Sequence, residues 1–151
     1  MIWKTLNNNM KICEVISNID ATTLGNAVKK FCASNESYQL LSNIDPEIST
    51  WSSGGCWILA DAIQKGFGGT LVAIYDNGIA QHVLIEMNGT FIDSDGAATS
   101  IKLLHRWKRW EMRRNPKIGP FDPITISEDI PRPKDPTDII HGISQYLKGK
   151  S

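Results

Sequence analysis

The chain has 151 residues, 16 of them basic and 16 acidic, for a formal net charge of zero. Hydrophobic residues make up 41% and charged residues 21%, a globular balance that excludes a disordered or fibrous chain; zero net charge argues against a surface made throughout for nucleic acid. No apolar run approaches the roughly 18 residues of a membrane span, and Met1–Met10 has no secretory apolar core. A soluble protein of one domain, residues 1–151, is therefore expected, with no membrane partner. Cys13, Cys32 and Cys56 form neither an even set nor a CxxC pair, which points to a reducing, cytoplasmic setting.

Elements follow in chain order. Residues 1–50 read as a helical N-terminal part. Asp20 caps a helix from Ala21 to about Ala33, with Leu24, Ala27, Val28 and Phe31 on one face, and a second short helix covers Glu36 to Leu41. Asp45-Pro46 breaks the pattern, since a residue before proline leaves the α region. Residues 51–111 form the core. Cys56 to Lys65 is apolar nearly all round and reads as a buried central helix, closed by Gly66, Gly68 and Gly69. Three strands follow, Thr70 to Tyr75, Ala80 to Met87 and Thr90 to Asp93, joined by Asn77-Gly78 and Asn88-Gly89, the strongest short hairpin signal. They predict a three-stranded antiparallel meander. A helix then spans 100–114, ending before Asn115-Pro116. Residues 115–134, rich in proline, read as an extended wrap with one short strand, Ile124 to Ile126. Asp135 and Pro136 open a last helix to about Leu147.

Cys56 stands at a helix start behind Gly54-Gly55, where unpaired N–H groups and the macrodipole favour a thiolate, and the glycines allow close approach to the sulfur. A free cysteine is more often a small core residue, so its neighbours decide. His82 opens the middle strand, 26 residues on. With Asn88-Gly89 as a two-residue loop, His82 falls opposite Asp95 and diagonal to Asp93, all three on one face. A buried aspartate needs a partner, and an imidazole N–H is one. Thiol, imidazole and carboxylate are the set that nucleophilic acyl chemistry requires. Register alone favours Asp95 by direct pairing, an argument that a one-residue bulge would spoil.

On these residues, GGCWILADAI followed by HVLIEMNGTFIDSDG, the chain resembles the papain-like thiol superfamily in its transglutaminase-like and cell-wall-hydrolase-like branches, including small phage-associated or bacterial proteins. The likeness covers about Trp51 to Glu111. It implies an α+β papain-like fold, an antiparallel sheet packed on the cysteine helix. It also implies Cys56 as nucleophile, His82 as base and Asp93 as the orienting carboxylate, with no cofactor. The implied activity is peptidase- or amidase-like hydrolysis through a thioester on a protein or peptide substrate, or transglutaminase- or deamidase-like acyl transfer. A glutamine upstream of the cysteine, the papain-type oxyanion donor, is absent: Thr50 to Ser53 occupy its place, leaving the Cys56 N–H and a neighbour to serve.

A second candidate is the helix 100–114. Lys102, Arg106, Arg109 and Arg113 share a narrow stripe beside an apolar one of Leu103, Leu104, Trp107 and Trp110. The simple reading is an amphipathic surface helix with both tryptophans in the core; the sharper one is a binding protein that grips an acidic partner or RNA here. Charge by thirds of the chain, −1, −4 and +5, fits either a basic face or internal pairing. His105 and His141 lack metal-ligand spacing, the glycine-rich Gly66 to Gly69 follows a helix where a phosphate cradle should precede one, and Cys13 and Cys32 read as core.

Overall fold

A computed structural model of the chain describes residues 19–112, 114–127 and 130–150; Cys13 and Arg113 lie outside them. The first helix, α1 (Ala21–Cys32), starts where Asp20 accepts the Thr23 N–H at 2.7 Å, and the spaced Leu24, Ala27, Val28 and Phe31 are all buried. α2 (Asn35–Ile44) is longer than its apolar spacing suggested because Ser34 caps it by accepting from the Ser37 N–H. Asp45 then turns extended, as Pro46 demands. α3 (Cys56–Phe67) runs through Gly66, where a Cβ would stand 2.8 Å from Ile140, and stops at Gly68.

The expected meander is present: β1 (Thr70–Asp76), β2 (Ile79–Met87) and β3 (Thr90–Asp93). Asn77, Gly78, Asn88 and Gly89 all have positive φ, the signature of the tight hairpin turns that match strand twist. The sheet has five strands, however, all antiparallel in the order β4-β3-β2-β1-β5, with β4 (Gly96–Ala98) and β5 (Lys117–Pro120) at the edges. A three-residue strand of glycine and alanine carries no alternation to read. The strand expected at Ile124 to Ile126 is displaced: Pro123–Thr125 is a single 3-10 turn, set by Pro123 and by Asp122 accepting the Ile124 N–H. The pairing segment lies earlier, at Lys117–Pro120.

β2 pairs β3 from Met87–Thr90 to Ile85–Ile92 and no further, and β3 doubles back at Asp93 to pair β4. Asp95 therefore sits in the β3–β4 turn and not opposite His82, which corrects the long-hairpin register. On the other side of β2 the ladder shifts between Ile74 and Tyr75, which face His82 and Ala80, so Gln81 is the extra residue of a bulge beside His82.

α4 (Ser100–Arg109) is shorter than the expected 100–114; Trp110 caps it and Met112, at φ 56°, turns the chain away. α5 (Thr137–Leu147) begins one residue later than expected, with Asp135 accepting from both the backbone and the hydroxyl of Thr137. α1, α3 and α5 bury Val83, Ile85 and Ile92 on one face of the sheet. α4 covers the other, with Leu103 and Trp107 packed on Val72, Ile74 and Leu84. Each such fully buried aliphatic contributes about 1.5–3 kcal/mol, enough to hold both helical layers on a five-stranded sheet. Among the described residues no helix is long and apolar enough to cross a membrane.

Candidate active site

Four segments meet at one end of the sheet. The loop before α3 is tightly folded. Gly54 has φ 102°, and a Cβ on Gly55 would stand 3.0 Å from both the Thr50 oxygen and the Trp51 Cα. These glycines permit a close approach of backbone, made here by the loop itself. Trp51 is buried with its indole N–H on Ser37 Oγ at 3.2 Å, which anchors the loop to α2. Gly55 gives α3 no side-chain cap, so the positive end of the helix is left facing Cys56.

His82 follows the β2 bulge. Its Nε2 meets Asp93 Oδ2 at 2.9 Å, and its ring lies against Trp107 of α4, centroids 5.1 Å apart at 32°. Asp93 also accepts the Asp95 N–H on Oδ1 at 2.9 Å and Arg106 Nη2 on Oδ2 at 2.6 Å. Arg106 Nη1 reaches the exposed Asp95 carboxylate at 3.3 Å. Where β2 and β3 have parted, Cys56 shares its surroundings with His82, Val83, Asp93 and Ser94.

Cys56, His82 and Asp93 are 3%, 2% and 5% exposed, yet all three line one cavity of about 520 Å³. Ser52 to Gly54, Arg106, Trp110 and Glu111 complete its wall and rim. Among the described residues His82 Nδ1 is a buried polar atom with no hydrogen-bond partner. Nε2 is committed to Asp93, so Nδ1 is the nitrogen left toward the thiol. The two groups shift each other's proton affinity, by hydrogen bonding ahead of charge, although the geometry falls short of a fully made bond.

The electrostatics follow from these contacts. Burial pushes the Cys56 thiol up, but His82 and the N–H groups of Val83 and Trp57 outweigh it and hold the thiol below its ordinary value. Burial alone would push the imidazole down; Asp93 first, and Cys56 after it, reverse this and raise His82 to about 10. Burial also opposes ionisation of Asp93, but His82, then Arg106 and the Asp95 N–H, keep its carboxyl below the usual range. Cys32 shows the opposite case: burial, then the charges of Asp93 and Asp95, push its thiol far up. The site favours a thiolate–imidazolium pair backed by a carboxylate, an arrangement that can attack a carbonyl and return a proton.

The cations of the basic helix are divided among different contacts. Arg106 is drawn inward onto Asp93, and Arg109 lies over the Trp110 ring, 5.6 Å from its centroid. Trp107 is core, but Trp110 is 71% exposed, at the cavity rim. Lys102 is exposed, and Arg113 lies outside the described residues. The roles of Arg106 and Trp107 escaped the sequence reading, although a buried aspartate beside one neutral imidazole already lacked a cation. Comparison of the chain with protein-family models, with curated proteins and with solved structures finds no match. What fold and site define together is a mixed α+β protein carrying a buried Cys-His-Asp constellation on a cavity.

Proposed function

We propose that this protein is a papain-like cysteine hydrolase that cleaves an amide bond of a peptide or protein through a thioester on Cys56. The observation that carries the reading is the division of labour on one buried imidazole: Nε2 held by Asp93, Nδ1 left for the Cys56 thiol, beside a cavity that all three residues line. The Cys56 thiolate attacks the substrate carbonyl carbon, and the electron pair of the C=O bond moves to oxygen. Collapse of that intermediate expels the amine, which takes the Nδ1 proton of His82 as it leaves. His82, now neutral, accepts a proton from water, whose oxygen displaces sulfur; the acid departs and the thiolate–imidazolium pair is restored. Asp93 keeps its charge throughout and fixes the ring and its tautomer. The uncapped first turn of α3 supplies N–H groups for the transient oxyanion. An amine in place of water would make the same thioester the donor for transglutaminase-like transfer.

The test is competitive alkylation. At pH 6, where an ordinary thiol is almost wholly protonated, iodoacetamide should label Cys56 at least tenfold faster than Cys32, as read by peptide mass spectrometry. His82→Ala should abolish the difference. Equal labelling of Cys56 and Cys32 in the unaltered protein removes the reading.

A further inference from the structure

We propose that Arg106 is a positioning residue that acts through Asp93, fixing the carboxylate that orients His82 and keeping it ionised when the surroundings turn acidic. The inference rests on the hydrolase reading above and extends it to a fourth side chain, from a helix that carries none of the three reacting groups.

The geometry is specific. Asp93 Oδ2 receives two donors at once, His82 Nε2 at 2.9 Å and Arg106 Nη2 at 2.6 Å, while Oδ1 receives the Asp95 N–H. The second nitrogen of the same guanidinium is held by Asp95 at 3.3 Å. A planar fork that meets Asp93 with one nitrogen and Asp95 with the other is held more narrowly than a lysine would be, so Arg106 fixes Oδ2 while the Asp95 N–H fixes Oδ1. Asp93 needs that help. It is 5% exposed, and burying a lone carboxylate favours its protonation. Without Arg106 the only cation on Asp93 would be the imidazolium, which changes during the reaction. Arg106 keeps its charge at every working pH, so Asp93 retains one permanent counter-charge while His82 gains and loses its proton.

Other ionisable groups around the pair are few. Cys56 faces it from α3 and Cys32 from α1; Asp95 lies in the β3–β4 turn with Lys29 of α1 close by, and Glu111 stands at the cavity rim. Besides the His82 imidazolium, Arg106 is the one cation among the described residues in direct contact with Asp93.

The experiment is the pH dependence of Cys56 alkylation by iodoacetamide in the unaltered protein, Arg106→Gln, Arg106→Lys, Asp93→Asn and the Arg106→Gln/Asp93→Asn double variant, each checked for folding by circular dichroism. An unpaired Asp93 protonates at higher pH, so in Arg106→Gln the acid limb should move up by about 1 pH unit, the lower end of what a close opposite charge supplies, since Arg106 is 29% exposed. Arg106→Lys, which keeps a cation, should hold the acid limb near its original position even if Arg106→Gln folds poorly. In the Asp93→Asn background, removing Arg106 should move the limb no further. If Arg106→Gln lowers the rate equally at all pH, or shifts the limb as much without Asp93 as with it, the positioning role is overturned while a fast-labelling Cys56 leaves the hydrolase reading standing. A Cys56 that is slow in the unaltered protein removes both.

Discussion

Asp93→Asn is the sharpest perturbation of the site because it keeps the volume and removes one charge. The carboxylate serves three donors: His82 and Arg106 on Oδ2, and the Asp95 N–H on Oδ1. An amide has one acceptor oxygen. If that oxygen stays on Asp95, the new NH₂ group faces two donors; if it flips, the NH₂ faces the Asp95 N–H. In either pose a buried donor is left unmet. Removing one member of a buried ionic network costs about 3–5 kcal/mol, and the partial exposure of Arg106 places the loss near the lower figure. The chemical effect is larger. Asp93 is the foremost group raising His82 to about 10; without it, burial is opposed by Cys56 alone and the ring holds its proton less firmly. In the limit where Cys56 loses its imidazolium altogether, a thiol at the ordinary 9.0 is ionised in only about one molecule in a hundred at pH 7. Peptide-resolved alkylation at pH 7 should therefore slow by up to about 100-fold, with circular dichroism showing a folded, less stable protein. A rate within twofold of the unaltered protein would falsify the carboxylate's part in forming the thiolate.

Two further outcomes follow from the same contacts. Asp93 has its folded pKa below the usual carboxylate value, so the stability it supplies is complete above about pH 5 and is lost as pH falls through that folded value; thermal melts between pH 5 and 2 should fall steeply for the unaltered protein and less for Asp93→Asn, and parallel curves would contradict the linkage. Trp107 is buried against Leu84 and Leu103 and covers the His82 ring, so Trp107→Ala should cost about 3–5 kcal/mol in urea denaturation and also slow Cys56 labelling, whereas a loss below 1 kcal/mol would mean that α4 does not seal this face.

The regular elements were legible where the local signal is strong. Asp20 before an apolar 3-4 spacing gave α1, and two Asn-Gly pairs gave the hairpins, because both signals act through the backbone of a few adjacent residues. Edge strands were not. Gly96–Ala98 has no alternation to read, and Lys117–Pro120 is set by its partner β1 and not by propensity. Cys56, His82 and Asp93 could be nominated because a helix start favours a thiolate and an ionisable residue inside an apolar strand is costly without a partner. Choosing between Asp93 and Asp95 could not be done by counting, since the chain reverses at Ser94-Asp95 and places Asp95 in a turn.

The basic stripe of α4 shows why charge spacing misleads where polar groups are buried nearby. Lys102, Arg106 and Arg109 are evenly spaced on a helix, and even spacing suggests one common partner. Their fates are set by what lies beneath each turn. Under Arg106 the sheet ends in two aspartates, one of them buried, and the free energy of meeting that charge exceeds what an exposed arginine gains from water or a passing anion. Arg109, one turn on, finds the Trp110 ring, and Lys102 remains exposed. The −4 of the middle third and the +5 of the last are thus partly spent on each other inside the molecule, at the point where His82 needs a steady carboxylate. A helix chosen for gripping a partner would leave Asp93 with the imidazole alone; a helix chosen for the site places arginine and tryptophan at successive positions, so that one grips the carboxylate while the other covers the ring.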